Sequence, residues 1–307
     1  MANGTDWTGK KLLILPFDHR GTFLKKLFKV TDRKDFTEQE TAIVTACKEI
    51  VYQGFLTALK SGVITKDEAG ILIDEQFGSE IITDAIKRGI PVALTCEKSG
   101  QNEFDFQYGD AFKEHIERFK PTLAKVLVRY NTDPENEAMN DRQAARLKQM
   151  NDYLATTSHA FLFELLVPPS KQQLDSVGGS QERYDKELRP GLMIAAITEL
   201  HKRGIEPDVW KLEGVDTEED ARAIISAVQE GGRKAGVIIL GRGADAAAVE
   251  HWLQIGAKVK GAIGFAVGRT IFWDAITKYY TKKCTKAEAV QEVADTYTHF
   301  VKVWKEA

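Results

Sequence analysis

Residues 209–243 read VWKLEGVDTEEDARAIISAVQEGGRKAGVIILGRG, and they carry the repeating unit from which the fold is read. The run 209–213 is a short apolar strand, 218–230 a helix, and 236–240 a second apolar strand. Strands that are apolar almost throughout suit a parallel sheet covered on both faces. Lys211 and Glu213 break that pattern, and charges inside such a strand are costly unless paired or used.

The same alternation extends outward in both directions. Strands are predicted at 12–17, 71–74, 91–95, 124–130 and 161–167 upstream, and at 261–265 downstream. Thr37 and Glu40 form a capping box ahead of Ile43, Cys47, Ile50, Val51, Ala58 and Leu59 at helical spacing. Further helices run through Ile81, Ile82 and Ile86 to Gly89, over 111–119 before Pro121, and over 137–155, 191–203 and 246–254. Two more, 270–280 and 285–304, close the chain. Residues 171–189 are polar and contain glycine, and read as a loop or short-helix insertion over the sheet. Eight strands, each followed by a helix, predict an α/β fold of the (β/α)8 TIM-barrel type, one domain over 1–307. An open doubly wound sheet would need a Gly-rich turn after the first strand, where Asp18, His19, Arg20 and Gly21 stand instead.

Composition narrows the class of function. Apolar residues make up 43% of the chain, enough for a large core. A net charge of −3 and a pI near 6.1 offer no basic surplus for nucleic acid and no polybasic patch for a membrane. Residues 1–11 are polar and lack the apolar run of a signal peptide, and no stretch reads as the ~20 apolar residues of a membrane span. Cys47, Cys96 and Cys284 have no metal-type spacing and read as reduced thiols. A cytoplasmic protein is expected, with a homo-oligomer left open.

In a barrel, chemistry belongs at the C-terminal ends of the strands. Asp18, Arg20, Asp74, Glu75, Lys125, Arg129, Glu164, Lys211 and Glu213 lie in or at the ends of the predicted strands. Strand alternation allows Lys125, Glu164 and Lys211 to point inward. A desolvated lysine beside a second cation loses proton affinity, and the amine can attack a ketone to form an iminium. A nearby carboxylate can then move the hydroxyl protons. Internal ion pairing is the plain alternative for any one of these residues.

Gly241, Arg242 and Gly243 follow the seventh strand, and Gly264 to Arg269, including Gly268, follow the eighth. Loops in these two places often bind phosphate through backbone N–H groups, with arginine adding paired hydrogen bonds. Two ordinary turns with surface arginines would be the alternative.

These motifs resemble the class I tagatose-bisphosphate aldolase family. Its relatives include the 2-deoxy-5-keto-gluconate 6-phosphate aldolase domain of inositol catabolism. The resemblance spans residues 12–274 and is carried by Asp18-His19-Arg20-Gly21, 74–78, Glu97-Lys98-Ser99-Gly100, 124–130, Glu164, Lys211-Leu212-Glu213 and the two Gly/Arg loops. It implies Lys211 as the Schiff-base lysine, Glu164 as the proton-transfer carboxylate, Lys125 beside it, and Asp18 near the substrate hydroxyls. The tagatose-bisphosphate enzymes carry Gln where His19 stands and a tyrosine near Arg129. The Phe-Asp-His-Arg-Gly and Trp-Lys-Leu-Glu-Gly strings are closer to the inositol-pathway domain, which is often fused to a sugar kinase that these residues do not contain.

A metal-dependent aldolase would need clustered histidines, and of six only His19 sits at a strand end, so neither metal nor cofactor is expected. The partner expected is a small phosphorylated sugar or sugar acid. Among substrates, 2-deoxy-5-keto-gluconate 6-phosphate is favoured. Tagatose or fructose bisphosphate, a sulfosugar phosphate, and a non-catalytic phosphosugar-binding barrel are the alternatives. Arg20 and Arg129 are read as substrate-binding, with Glu75 or Glu97 as the internal partner that would make Arg129 structural.

Overall fold

The computed structural model describes residues 5–307. The polar segment 1–11 and the predicted 1–307 domain therefore each begin outside the described residues. Eight strands, β1 (Leu12–Pro16), β2 (Ala69–Ile73), β3 (Val92–Thr95), β4 (Leu123–Arg129), β5 (Ala160–Leu166), β6 (Val209–Glu213), β7 (Gly236–Leu240) and β8 (Ala262–Ala266), pair in chain order, all parallel. β8 pairs with β1, which closes the barrel. Around it lie α1 (Glu38–Lys60), α2 (Glu75–Lys87), α3 (Phe112–Phe119), α4 (Glu137–Leu154), α5 (Lys171–Ser176), α6 (Gln181–Arg183), α7 (Arg189–Lys202), α8 (Glu218–Gln229), α9 (Ala246–Ala257), α10 (Arg269–Tyr280) and α11 (Lys286–Glu306). The predicted TIM barrel is the observed fold.

Two apolar layers hold it. The outer layer packs strand faces such as Leu13, Ile71 and Val126 against the helices. The inner one fills the barrel with Leu12, Ile14, Leu72, Leu123, Leu162 and Val209, and Trp7 joins it from below. The Trp7 backbone N–H donates to the Lys234 carbonyl at 3.0 Å, just before β7, so the indole plugs the N-terminal end.

Alternation then places the charges. Leu123, Leu162 and Val209 face inward, so Lys125, Glu164 and Lys211, two residues further along, face inward one layer higher. The register pairs Leu127 with Glu164 and Glu164 with Lys211, which sets that carboxylate level with the lysine.

Three details differ from the sequence reading, and the 171–189 insertion resolves to the short-helix alternative. β2 stops at Ile73, and Asp74 is the N-cap of α2: it accepts from Phe77 N–H and pairs with the wholly buried Lys48 of α1. Asp74 is thus structural. The insertion 171–189 is helical throughout much of its length, as α5, α6 and a π-helical turn at Tyr184–Leu188. A second π-helical turn, Phe23–Leu27, follows β1 without any signal read from the sequence. Finally, α1 is long and apolar enough by length and composition to cross a membrane, with a mean hydropathy of 1.2 over its most apolar window. Half of that window is buried in the molecule and it holds Lys48 in an ion pair, as a core helix would.

The floor of the barrel generates the first prediction. Trp7→Ala should cost ~3–5 kcal/mol, the usual range for truncating a buried large aromatic. Urea denaturation would measure it, and a loss below ~1 kcal/mol would mean that the inner layer closes without the indole.

Candidate active site

A cavity of ≈ 690 Å³ opens at the C-terminal ends of the strands. Its charged floor is built from five strands or their following loops. Lys125 Nζ donates to Asp18 Oδ2 at 2.9 Å and to Glu97 Oε1 at 2.7 Å, and lies 2.9 Å from Glu164 Oε2. The other Glu164 oxygen, Oε1, is 2.8 Å from Lys211 Nζ. One carboxylate therefore bridges two buried lysines. Lys125 has three N–H groups and meets three carboxylates, so it is saturated. Among the described residues Lys211 forms an ion pair with Glu164 alone, and it lines the cavity.

The ionisation of the cluster follows from these contacts. Burial opposes the Lys125 charge, but Asp18, Glu164 and Glu97 outweigh it and hold the ammonium well above the ordinary lysine range. Burial likewise works against Asp18, and Lys125, His19 and Lys211 overcome it, holding that carboxyl far down. Glu164 is also held below its ordinary value: burial pushes it up, and Lys125 and then Lys211 pull it further down. The second cation expected beside Lys211 is in place, across Glu164. His19 is pushed down to about 3 by burial, with Arg269 and Lys211 adding to the effect against Asp18, so its imidazole is neutral.

The loops after β7 and β8 meet over the cavity. Gly243 has φ +72° and a Cβ there would lie 2.5 Å from the Arg269 guanidinium carbon. Gly268 lies so close to β1 that a Cβ would stand 2.4 Å from the Pro16 carbonyl oxygen. Arg269 Nη2 donates to the Arg242 carbonyl at 2.6 Å and has no carboxylate partner among the described residues. Burial pulls Arg269 below its ordinary value against Glu164 and Asp18, a cost that a bound anion would offset. α10 begins at Arg269 without a capping side chain, so its first N–H groups face the same space.

Arg242 differs from Arg269. It pairs with Asp185 at 2.7 Å and with Glu213 at 3.0 Å, so both its charge and its geometry are committed inside the protein. Expected as a phosphate ligand, it lines the cavity and also ties the insertion to β6. Arg20, expected to bind substrate, lines the cavity; it donates to Gln107 and to the Glu97 carbonyl, and its Nε is buried. Arg129 has neither of the internal partners foreseen for it. Glu75 pairs with His115 and Arg118, Glu97 pairs with Lys125, and Arg129 donates only to the Gln101 carbonyl at the cavity rim. Glu213, which accepts from Val167 N–H and pairs with Arg242, is likewise fixed.

Glu97 is the residue that sequence reasoning did not place in the site. It lies beyond the end of β3, in a loop that bridges back to Phe106, and the run 92–95 gave no register for it. Its signal was an acidic residue just past an apolar strand. Around the cavity as a whole, nine cationic side chains face five acidic ones among the described residues, in a chain of net charge −3. Such a bias suits an anionic ligand.

The family described as "Uncharacterized protein conserved in bacteria (DUF2090)" matches residues 3–307. No curated protein sequence matches the chain. Among solved structures, the fructose-bisphosphate aldolase of Plasmodium falciparum is similar, with a TM-score of 0.68 and 14% identity over 97% of this chain and 92% of that one. A structural-genomics target from Corynebacterium glutamicum is similar with a TM-score of 0.56 and 15% identity, over 95% and 85%. At these identities the likeness is one of fold, an aldolase-like TIM barrel.

The charged floor predicts an inversion of pH dependence. In the wild type the depressed Asp18 and Glu164 carboxyls contribute stability that is present above their unfolded values near pH ~4 and is lost as pH falls through their folded values. Without Lys125 the same buried carboxyls are raised above their unfolded values, so acidification stabilises the folded variant. Lys125→Met should cost ~3–5 kcal/mol near neutral pH, and the deficit should shrink toward pH ~5 in urea titrations. A deficit that holds or grows on acidification would show that the ammonium is not what balances these carboxylates.

Proposed function

The chain belongs to the DUF2090 family, and from that premise we propose that it is a class I aldolase acting through Lys211 on a phosphorylated keto sugar acid. The observation that carries this reading is the Glu164 carboxylate, with one oxygen on each of two buried lysines at the floor of a cationic cavity. A saturated lysine holds the carboxylate and supplies a permanent positive charge. The other lysine shares one oxygen only, and its amine is free to react once Glu164 has drawn off the proton.

The Lys211 amine attacks the substrate ketone, a C–N bond forms, and Glu164 returns its proton to the resulting hydroxyl, which leaves as water to give an iminium and an ionised Glu164. Glu164 takes the proton of the hydroxyl two carbons away. The C–C bond between them breaks and its electron pair flows to the iminium nitrogen, which releases an aldehyde and leaves an enamine. Protonation of the enamine carbon and hydrolysis return the amine and a ketone. For 2-deoxy-5-keto-gluconate 6-phosphate, the C5 ketone, C3 hydroxyl and C3–C4 bond take these roles. The products are malonic semialdehyde and dihydroxyacetone phosphate. Asp18, bound to Lys125 at the cavity wall, is placed to meet a substrate hydroxyl.

Topology supports a substrate that is anionic at both ends. β4 and β8 are opposite in an eight-stranded ring and β6 is midway between them. Arg129 ends β4, Arg269 follows β8, and neither is paired to a carboxylate among the described residues. The Gly241, Gly243 and Gly268 backbone with the start of α10 suits the phosphate, and the planar Arg129 fork suits a carboxylate. A second reading, a ketose bisphosphate, draws support from the Ser99-Gly100-Gln101 loop beside Arg129, which could offer backbone N–H groups to another phosphate.

Two outcomes test this. Borohydride should trap 2-deoxy-5-keto-gluconate 6-phosphate on Lys211, as seen by peptide mass mapping, and Lys211→Met should lose the adduct while keeping its fold. An adduct that survives in Lys211→Met would move the covalent role to Lys125. Separately, Arg129→Leu should lower kcat/KM for the keto sugar acid by ~10- to 100-fold, the worth of a charge-assisted hydrogen bond, and by much less for a ketose 1-phosphate with an uncharged end. Equal losses on the two would return Arg129 to a structural role and leave the sugar acid without its residue.

A further inference from the structure

Glu97 is 6% exposed, and its two carboxyl oxygens have different surroundings. Oε1 accepts from Lys125 at 2.7 Å, whereas Oε2 is buried with no hydrogen-bond partner among the described residues. An ionised carboxylate spreads its charge over both oxygens, so a bare buried Oε2 is costly for the anion. A proton on Oε2 removes that cost and leaves Oε1 an acceptor for Lys125. The charge count agrees. With Glu97 ionised, three carboxylates, Asp18, Glu97 and Glu164, would share the two ammonium groups in direct contact with them. The buried Arg20 is hydrogen-bonded to Gln107 and the Glu97 carbonyl and forms no ion pair with any of the three among the described residues. With Glu97 neutral, two ammonium groups face two carboxylates. The backbone fixes this geometry, since Arg20 holds the Glu97 carbonyl at 2.8 Å.

We propose that Glu97 is a further positioning residue of the reaction: it carries its proton on Oε2, holds Lys125 through Oε1, and by staying neutral leaves the Lys125 charge acting on Lys211. This rests on the reading of Lys211 as the Schiff-base amine. Lys125 faces Lys211 across Glu164, and each negative charge placed on Lys125 weakens its field at that amine. The groups that face Glu97 are Lys125 from β4, and Asp18 and Arg20 from the loop after β1. Burial is the largest influence and raises the carboxyl above its ordinary value; Lys125 opposes it, Asp18 adds to it and Arg20 opposes it. Glu97 differs in this from Asp18 and Glu164, which the same lysine holds ionised.

The test uses pyridoxal 5′-phosphate, an aldehyde that carries a phosphate, with borohydride reduction and peptide mapping. The rate of labelling at Lys211 is followed from about pH 6 to about pH 9 in the wild type and in Glu97→Gln, which keeps the shape of the acid but cannot ionise. Over any part of that range in which Glu97, raised by burial, ionises in the wild type, the ratio of variant to wild-type rate should rise by ~3- to 10-fold, because that charge cancels part of the Lys125 field. By 13C NMR of labelled glutamate, the resonance lost in Glu97→Gln should titrate well above the ordinary value of about 4.3. A flat ratio with Lys211 labelled while the carboxyl titrates inside that pH range, or a carboxyl that titrates at the ordinary value, overturns the proposal and leaves the aldolase reading standing; a flat ratio with the carboxyl still protonated at the alkaline end supports it. No label on Lys211 in either protein would sink the Schiff-base reading and the tuning role together, while the carboxyl titration would still report whether Glu97 keeps its proton.

Discussion

An ammonium group with 1% exposure inside a barrel can exist only if negative charge and hydrogen-bond acceptors are brought to it, and Lys125 imposes that demand on three separate segments of the chain. Asp18 comes from the loop after β1, Glu97 from the loop after β3, and Glu164 from β5. One ion thus fixes the relative positions of elements that pack against different helices. It also makes two identical residue types unlike. Lys125 is gripped by three carboxylates, whereas Lys211 shares a single carboxylate oxygen among the described residues and borders the cavity. The division between a holding lysine and a reacting one, as proposed, follows from counting partners.

The barrel amplifies this cluster because water reaches it from one direction only. Below it the inner layer is apolar down to Trp7, so the charges interact through a poorly polarisable medium. Outside the barrel, α11 is tied to β1 by the Tyr297 hydroxyl, which donates to the Leu13 carbonyl at 2.7 Å. A second buried ion pair, Lys48 with Asp74, shows what a purely structural version looks like. There the carboxylate also caps α2, and neither residue lines the cavity. Burial of charge alone therefore does not mark a site; a partly satisfied lysine beside open space does.

Much of this was legible in the sequence, for physical reasons that also explain what was not. The bounds of β6 and β7 could be read to the residue because each is a short apolar run between polar neighbours. The inward direction of Lys125, Glu164 and Lys211 followed from the two-residue period of a strand. Asp74 was misread as strand because a residue that ends one element and caps the next looks the same in either role. Arg242 and Arg269 both follow glycine-rich turns, and local sequence could not rank them. What separates them is Asp185, on a different element, which claims Arg242 and leaves Arg269 open. Glu97 escaped for the same kind of reason, since its partner lies across a register that the loop after β3 does not reveal.

The insertion 171–189 gives these separate facts a common direction. Its Asp185 pairs with Arg189 at 3.1 Å and with Arg242 at 2.7 Å, while Arg189 donates to the Gly214 carbonyl and Arg242 reaches Glu213. One carboxylate thus ties together the loops that follow β5, β6 and β7, the arc that carries Glu164 and Lys211. On either side of that arc, Arg129 and Arg269 are held only through backbone carbonyls, of Gln101 and Arg242. A carbonyl accepts a hydrogen bond without neutralising the guanidinium, so both arginines keep their charge for an incoming anion. In the proposed reaction this arrangement is apt: the covalent lysine and its base need fixed geometry to within a fraction of an ångström, whereas the groups that receive the ends of the substrate need unspent charge. The pairing of residues inside the protein supplies the first requirement and spares the second.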